Sequence, residues 1–240
     1  MYHYKLVFRL EENWLPREMD RIVISFFKAA VQSYSQDFYE KLYSKKQSII
    51  KGFTYSYLLP GAKFNRERID LQKEEFSLFF SDVNFTELLH FFNAFQKMKY
   101  KKYSMNGNSM ELAAVHMKRL NEIKENEIVV KMQSPLMVRK HNSGDNSDIY
   151  YTCEMEGFEE ALKENIDIFL DRMGINVTTE NFSIQTIKGK KVVSPVFGRN
   201  TDASLGIFKL TGSCQLLNVL YLAGMGVRRS EGHGKFEIIG

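Results

Sequence analysis

YHYKLVFRLEENWLPREMDRIVISFFKAAVQ, residues 2–32, changes its apolar period partway along, and that change sets the reading of the fold. Tyr2 to Leu10 partly alternates and is rich in Tyr, Val and Phe, the composition of a half-buried strand. From Arg17 to Gln32 the apolar residues Met19, Ile22, Val23, Phe26, Phe27, Ala30 and Val31 recur at helical spacing. Pro16 suits the first turn of that helix, where no amide hydrogen is needed. The segments that follow extend the strand–helix start into a β-α-β-β-α-β unit. A short helical piece covers Gln36 to Tyr43, and GFTYSYLL lies at the heart of a strand from Ser48 to Leu59. Phe76 to Phe80 reads as a strand, FTELLHFFNAFQKM (85–98) as an amphipathic helix, and Ser109 to Leu120 as a strand with a helix as the alternative.

The same order then returns without a residue-level repeat. Glu127 to Met132 is a strand, and SPLMVRKHNSGDNSDIYYT (134–152) forms two extended arms around a polar turn, Asn142 to Ser147. Gly157 to Met173 is a helix with Phe158, Ala161, Leu162, Ile166, Phe169 and Leu170 on one face. Phe182 to Phe197 is expected to be a hairpin turning at Gly189, with Gly206 to Gly212 a strand, Cys214 to Ala223 a helix and Lys235 to Ile239 a last strand. The reading is therefore an α+β protein of two tandem ferredoxin-like domains, residues 1–122 and 123–240, the second carrying a glycine-rich loop.

Bulk properties narrow the class. At 240 residues and 44% hydrophobic content the chain can fill a core, and 26% charged residues fit a folded protein rather than a disordered one. The net charge of +4 is a mild basic bias, compatible with nucleic acid. Cys153 and Cys214 stand far apart in no metal or disulfide pattern and are expected to be ordinary buried thiols. No signal peptide and no apolar run of membrane-spanning length is visible, so a cytoplasmic protein without membrane contact is expected. Histidines and carboxylates do not cluster at ligand spacing, so neither a metal nor any other cofactor is expected.

The segment LAGMGVRRSEGHGKFEIIG, residues 222–240, concentrates Gly224, Gly226, Gly232 and Gly234 around Arg228 and Arg229. Glycine lets backbone amides approach a ligand, and successive amides can form an anion nest. Arginine forks and Lys235 would add charge for phosphate. No GK[ST] follows the glycines, so the loop is not a Walker A motif, and because it leads from a helix into a strand it is not a dinucleotide fingerprint. A purely structural turn bearing surface arginines is the other reading.

Written as GMGVRRSEGHGKFEII, the pattern G-x-G-x(5)-G-x-G before an apolar strand resembles the C-terminal signature of CRISPR-associated endoribonucleases of the Cas-six family, within the RAMP superfamily. KGFTYSYLL (51–59) resembles that family's long strand after its first helix, and SPLMVRK (134–140) the start of its second domain. The resemblance implies binding of CRISPR repeat RNA and metal-independent cleavage of precursor CRISPR RNA. In that reaction the ribose 2′-OH attacks the phosphorus, leaving a 2′,3′-cyclic phosphate and a 5′-OH. It also admits a CRISPR effector complex and a homodimer as partners. The alternative is a catalytically weak or inactive subunit that binds repeat RNA.

The family pattern implies a base histidine helped by a tyrosine and a lysine, but no histidine lies between Trp14 and Lys51. Alignment on the FTYS strand puts Tyr43 near the histidine place and Phe27 at the tyrosine place, and it keeps the lysine as Lys51. Three explanations stay open. In the first, Tyr39 or Tyr43 handles a proton while Lys45, Lys46 and Lys51 stabilise the phosphorane, a lysine suiting the acid role better than the base role at neutral pH. In the second, His233 arrives from the glycine loop. In the third, the protein binds and does not cut. His90 and His116 read as structural. The resemblance places Arg139, Lys140, His141, Arg228 and Arg229, with the four loop glycines, near RNA. Lys190, Lys191 and Arg199 of the expected basic hairpin are further candidates to neutralise phosphates. KMKYKKY (97–103) could stack bases and neutralise phosphates, but a solvated helix end is the favoured reading.

Overall fold

The computed structural model of the chain describes residues 1–44, 49–144, 146–196 and 198–240. It divides into two compact units: Tyr2–Ile49 with Tyr57–Leu120, and Ile50–Ser56 with Asn121–Gly240.

The first half of the chain is built mainly from β1 (Tyr2–Leu10), α1 (Met19–Tyr34), α2 (Gln36–Tyr43), β3 (Phe53–Leu58), β6 (Glu75–Asp82), α3 (Phe85–Met98) and β8 (Asn108–Arg119). Short strands β2 (Trp14–Pro16), β4 (Lys63–Phe64), β5 (Arg68–Asp70) and β7 (Lys102–Met105) complete it. The main sheet runs β3-β6-β1-β8-β7, so the first strand of the β-α-β-β-α-β unit sits between the third and fourth. That is the ferredoxin-like order. The period change drives it: β1 turns Tyr4, Leu6, Phe8 and Leu10 inward, and α1 buries Val23, Phe26, Phe27, Ala30 and Val31. Phenylalanines dominate the contact, with Phe8 and Phe76 ring centroids 4.9 Å apart and those of Phe80 and Phe91 4.8 Å apart. Asn84 caps α3 by accepting from the Glu87 amide. Pro16 does not open α1; it ends β2, which pairs with β5 in a small sheet β2-β5-β4 that alternation in such short runs does not announce.

The second unit repeats the plan with β9 (Glu127–Met132), β10 (Val138–Asn142), β11 (Ser147–Tyr151), α4 (Phe158–Met173), β12 (Ser183–Val196), β13 (Arg199–Thr211), α5 (Cys214–Ala223) and β14 (Phe236–Ile238). Its sheet order β12-β13-β9-β14 is again ferredoxin-like. Helix α4 buries Phe158, Ala161, Leu162, Ile166, Phe169 and Leu170, the face that its periodicity predicts. Arms β10 and β11 pair as a hairpin around the polar turn, as expected.

The β12–β13 hairpin and the two cysteines depart from the sequence expectation. The hairpin does not turn at Gly189: β12 runs straight through it, and Val196 pairs with Arg199 at the tip. Gly189 is needed mid-strand because a side chain there would press on Cys153 Sγ. Lys190 and Lys191 are therefore strand residues, not a basic tip, and Arg199 takes the tip position. Both cysteines are free but half-buried rather than fully buried.

Candidate functional site

The glycine loop is the first place to look. After α5 it carries a short 3-10 turn, Arg229–Glu231, and then β14. The four loop glycines have positive φ and are buried. Their conformational freedom serves the protein itself. A Cβ on Gly226 would collide with the Met137 carbonyl, and one on Gly234 with the Met225 carbonyl. Many of the loop's amides are spent internally: Gly224 donates to Leu220, Met225 to Gly234, Val227 to Met137, Gly232 to Arg229 and Gly234 to Pro135. These amides are committed to the loop's own fold.

The charged side chains of the loop divide. Arg229 is 7% exposed, His233 4% and Lys235 5%. The Arg229 guanidinium lies 3.6 Å from the centroid of the Phe169 ring, and its Nε and Nη1 have no hydrogen-bond partner among the described residues. Burial alone brings its pKa down to about 9, and burial brings that of Lys235 down to about 7. His233 is held by Ser194, whose Oγ is 3.1 Å from Nε2, and its carbonyl accepts from Thr54 Oγ1 at 3.1 Å. Arg228 lines a cleft. Its backbone is left-handed, with φ 57°, and Nη1 donates to Glu231 Oε2 at 2.8 Å. Burial works against its charge, but Glu231 and the Tyr150 hydroxyl outweigh it and raise the pKa.

That cleft, about 550 Å³, is lined by Asn146, Asp148 and Tyr150 from the hairpin, by Arg228, and by Val196 and residues 199–202 of the β12–β13 tip. The sequence places its walls. Arg139 pairs across the hairpin with Tyr150, and His141 with Asp148, so alternation puts these four on one face and Lys140 on the other. Asp148 ties that face together: Oδ1 lies 2.9 Å from His141 Nδ1, and Oδ2 accepts from Arg139 Nη1 at 3.1 Å. The hydrogen bond from His141 first, and Arg139 with it, hold the Asp148 carboxyl below the usual range. Asn165 of α4 fixes the hairpin base by accepting from the Arg139 amide at 2.9 Å. A bridge of Leu136 with Ser204 and a hydrogen bond from the Cys153 amide to Ser204 Oγ join the hairpin to β13. Val196 and Ala203 pack with Met137 beneath.

The structure thus brings Arg199 and Arg228 together in one cleft with Asp148, the shared partner of Arg139 and His141. It leaves Lys140 on the opposite hairpin face, and Lys191 paired with Asp202 at 2.6 Å. Lys190 is exposed on β12. Tyr39 and Tyr43 stand one turn apart on α2 with ring centroids 5.5 Å apart, and Lys28 Nζ lies 5.4 Å from the Tyr43 ring centroid. Burial, with Tyr39 second, pushes the Tyr43 phenol above its ordinary value. Lys51 is half-buried and belongs to the second unit; Lys45 and Lys46 lie outside the described residues. His90 is a packed residue, its Nδ1 3.1 Å from the Tyr34 hydroxyl. Lys97 Nζ donates to the Ser33 carbonyl, the behaviour of a helix end. Sequence reasoning missed Asp148 and Tyr150, because their role depends on the hairpin register; the alternation of DIYY was the available signal. Among the described residues no group of three or more His, Cys, Asp or Glu is arranged to hold a metal. No described helix is long and apolar enough to cross a membrane.

Fold and site together define an α+β protein of tandem ferredoxin-like units with a polar, arginine-bearing cleft in the second. The family profile described as "CRISPR associated protein Cas6, C-terminal" matches residues 117–238, and the chain belongs to the Cas6 family. Among solved structures it is similar to one described as "An RAMP protein binding different RNA substrates", with a TM-score of 0.84, 20% identity and complete coverage of both chains. It is also similar to a Cas6-related protein from Pyrococcus furiosus, with a TM-score of 0.83 and 19% identity over 99% of this chain and 98% of that one. A third, described as "CRISPR associated protein Cas6", has a TM-score of 0.79 and 16% identity over 100% of this chain and 99% of that one. No curated protein sequence matches the chain.

Proposed function

We propose that this protein binds CRISPR repeat RNA at the cleft of its second unit and processes precursor CRISPR RNA. The observation that carries the reading is the convergence of Arg199 and Arg228 with the Arg139–Asp148–His141 face around one cleft, in a chain of the Cas6 family. Arginine forks suit phosphate and base edges, and Tyr150 offers a ring for stacking. A neighbour described as binding different RNA substrates supports the same ligand class. Cleavage proceeds by attack of the ribose 2′-OH on the adjacent phosphorus. The P–O5′ bond breaks, the 2′ proton goes to a base, and a proton reaches the leaving 5′-oxygen. Lys51 and Lys45 are candidates for charge on the phosphorane and for the acid, Tyr39 and Tyr43 for orienting or shuttling the proton; burial keeps the Tyr43 phenol protonated at neutral pH, so it does not serve as the base.

A second reading, binding with weak or no cleavage, is favoured by one observation. His233 is packed between Ser194 and Thr54 at 4% exposure, a poor position for a general base. One experiment separates the readings: incubate the protein with labelled repeat RNA in EDTA, beside RNA carrying a 2′-deoxyribose at the cut. Cleavage of the all-ribose strand alone supports the enzyme, binding without cleavage supports the second reading, and failure to bind overturns both.

A further inference from the structure

We propose that the cleft of the second unit reads one unpaired guanine of the bound RNA, with Asp148 and Arg199 as the residues that distinguish it from the other bases. This rests on the RNA-binding reading above and adds the base that the cleft selects. The cleft volume of 550 Å³ falls within the range of roughly 300–1,000 Å³ typical of small-ligand sites, large enough for a nucleoside. Its lining is the wrong chemistry for phosphate alone. Asp148 and Asp202 stand beside Arg199 and Arg228, and a carboxylate repels a phosphodiester. A base edge, which carries donors and acceptors together, matches such a mixture.

The placement of the side chains narrows the base. Strand alternation puts Asp148 and Tyr150 on one face of β11, and Arg199 and Thr201 on one face of β13. Asp148 is a fixed acceptor: His141 holds Oδ1 and Arg139 holds Oδ2. An ionised carboxylate has about four lone-pair sites, so each oxygen can accept once more. Arg199 is exposed at the hairpin tip, and its guanidinium has no salt bridge among the described residues. Guanine presents N1–H and N2–H donors on one edge, which a carboxylate accepts, and O6 with N7 on another, which an arginine fork grips. Adenine lacks the two-donor edge, and pyrimidines lack the O6/N7 pair. The Tyr150 ring supplies a wall for stacking.

The test compares the affinity of the full chain for labelled oligouridylate with that for the same strand carrying one central guanosine, adenosine or inosine. Guanosine is expected to bind roughly 10- to 100-fold tighter than adenosine or uridine at that position, the effect of one well-made bidentate contact. Inosine, which lacks the N2 amine, is expected in between. Arg199→Lys keeps the charge but loses the fork, and Asp148→Asn removes the charge and exchanges one acceptor oxygen for a donor. In each, the guanosine-to-adenosine ratio should fall several-fold as one of the two contacts is lost. If Asp148→Asn melts early, Arg199→Lys decides alone. Tight but equal binding of all four strands by the unaltered protein overturns the guanine assignment and leaves the RNA-binding reading standing. Binding of none overturns both. A ratio that survives in folded variants overturns the assignment of these residues.

Discussion

Replacing Gly234 by alanine tests whether the glycine loop is built for the protein's own packing. Gly234 has φ +72°, and a Cβ there would run into the Met225 carbonyl, a backbone atom that cannot swing aside. The left-handed conformation itself costs a side-chain-bearing residue about 1–2 kcal/mol. Moving the backbone to relieve the clash stretches two hydrogen bonds, Met225 amide to Gly234 carbonyl and Gly234 amide to Pro135 carbonyl, each 2.9 Å. At about 1 kcal/mol apiece, the total is roughly 3–4 kcal/mol. Gly174 is the internal control: it caps α4 at φ +64°, but a Cβ there meets nothing within 4 Å, so only the conformational cost of about 1–2 kcal/mol applies. At about 2–4 °C per kcal/mol for a chain of this size, thermal melting should fall by roughly 6–16 °C for Gly234→Ala and by about 2–8 °C for Gly174→Ala. The assay is melting by far-UV circular dichroism without RNA. Equal shifts, or a Gly234 variant as stable as the unaltered chain, would refute the packing account and return the loop to a role in ligand binding alone.

Lys235 loses its proton near pH 7 in the folded protein but near 10.5 in the unfolded chain, so the unfolded state binds more protons between those values. Stability should therefore rise from pH 7 to pH 9 by up to about 1.4 kcal/mol per pH unit, and Lys235→Met should flatten that rise in melts across the interval. Arg228→Ala should weaken RNA binding and reduce the slope of log affinity against log salt by about 0.7, the share of one single-strand phosphate contact. A slope equal to that of the unaltered protein removes Arg228 from the backbone contacts. Tyr43→Phe combined with Lys51→Ala should slow single-turnover cleavage far more than it weakens binding, and unchanged rates would exclude a tyrosine–lysine mechanism at these two positions.

Much of the architecture was legible in the residues because burial leaves a period. The switch from alternation in Tyr2–Leu10 to helical spacing through Val31, and the apolar face of Phe158 to Leu170, each correspond to the surface that its element buries. The polar turn between the two hairpin arms was legible for the same reason. Gly189 misled because glycine in a strand has two meanings, a turn or a close approach, and only the neighbouring Cys153 chooses between them. The small sheet β2-β5-β4 went unseen because strands of two or three residues carry no measurable period.

The sequence by itself determined the α+β class, the doubled order of elements, and that the loop after α5 needs glycine. Tertiary structure decided what those glycines and cations do. Residues 228, 229, 233 and 235 are near neighbours in the chain, yet Arg228 lines the cleft while Arg229 lies on Phe169, and His233 and Lys235 are buried. Only the fold brought Asp148 to Arg139 and His141 and placed Arg199 beside the same cleft, because strand register and not sequence distance sets which side chains share a face.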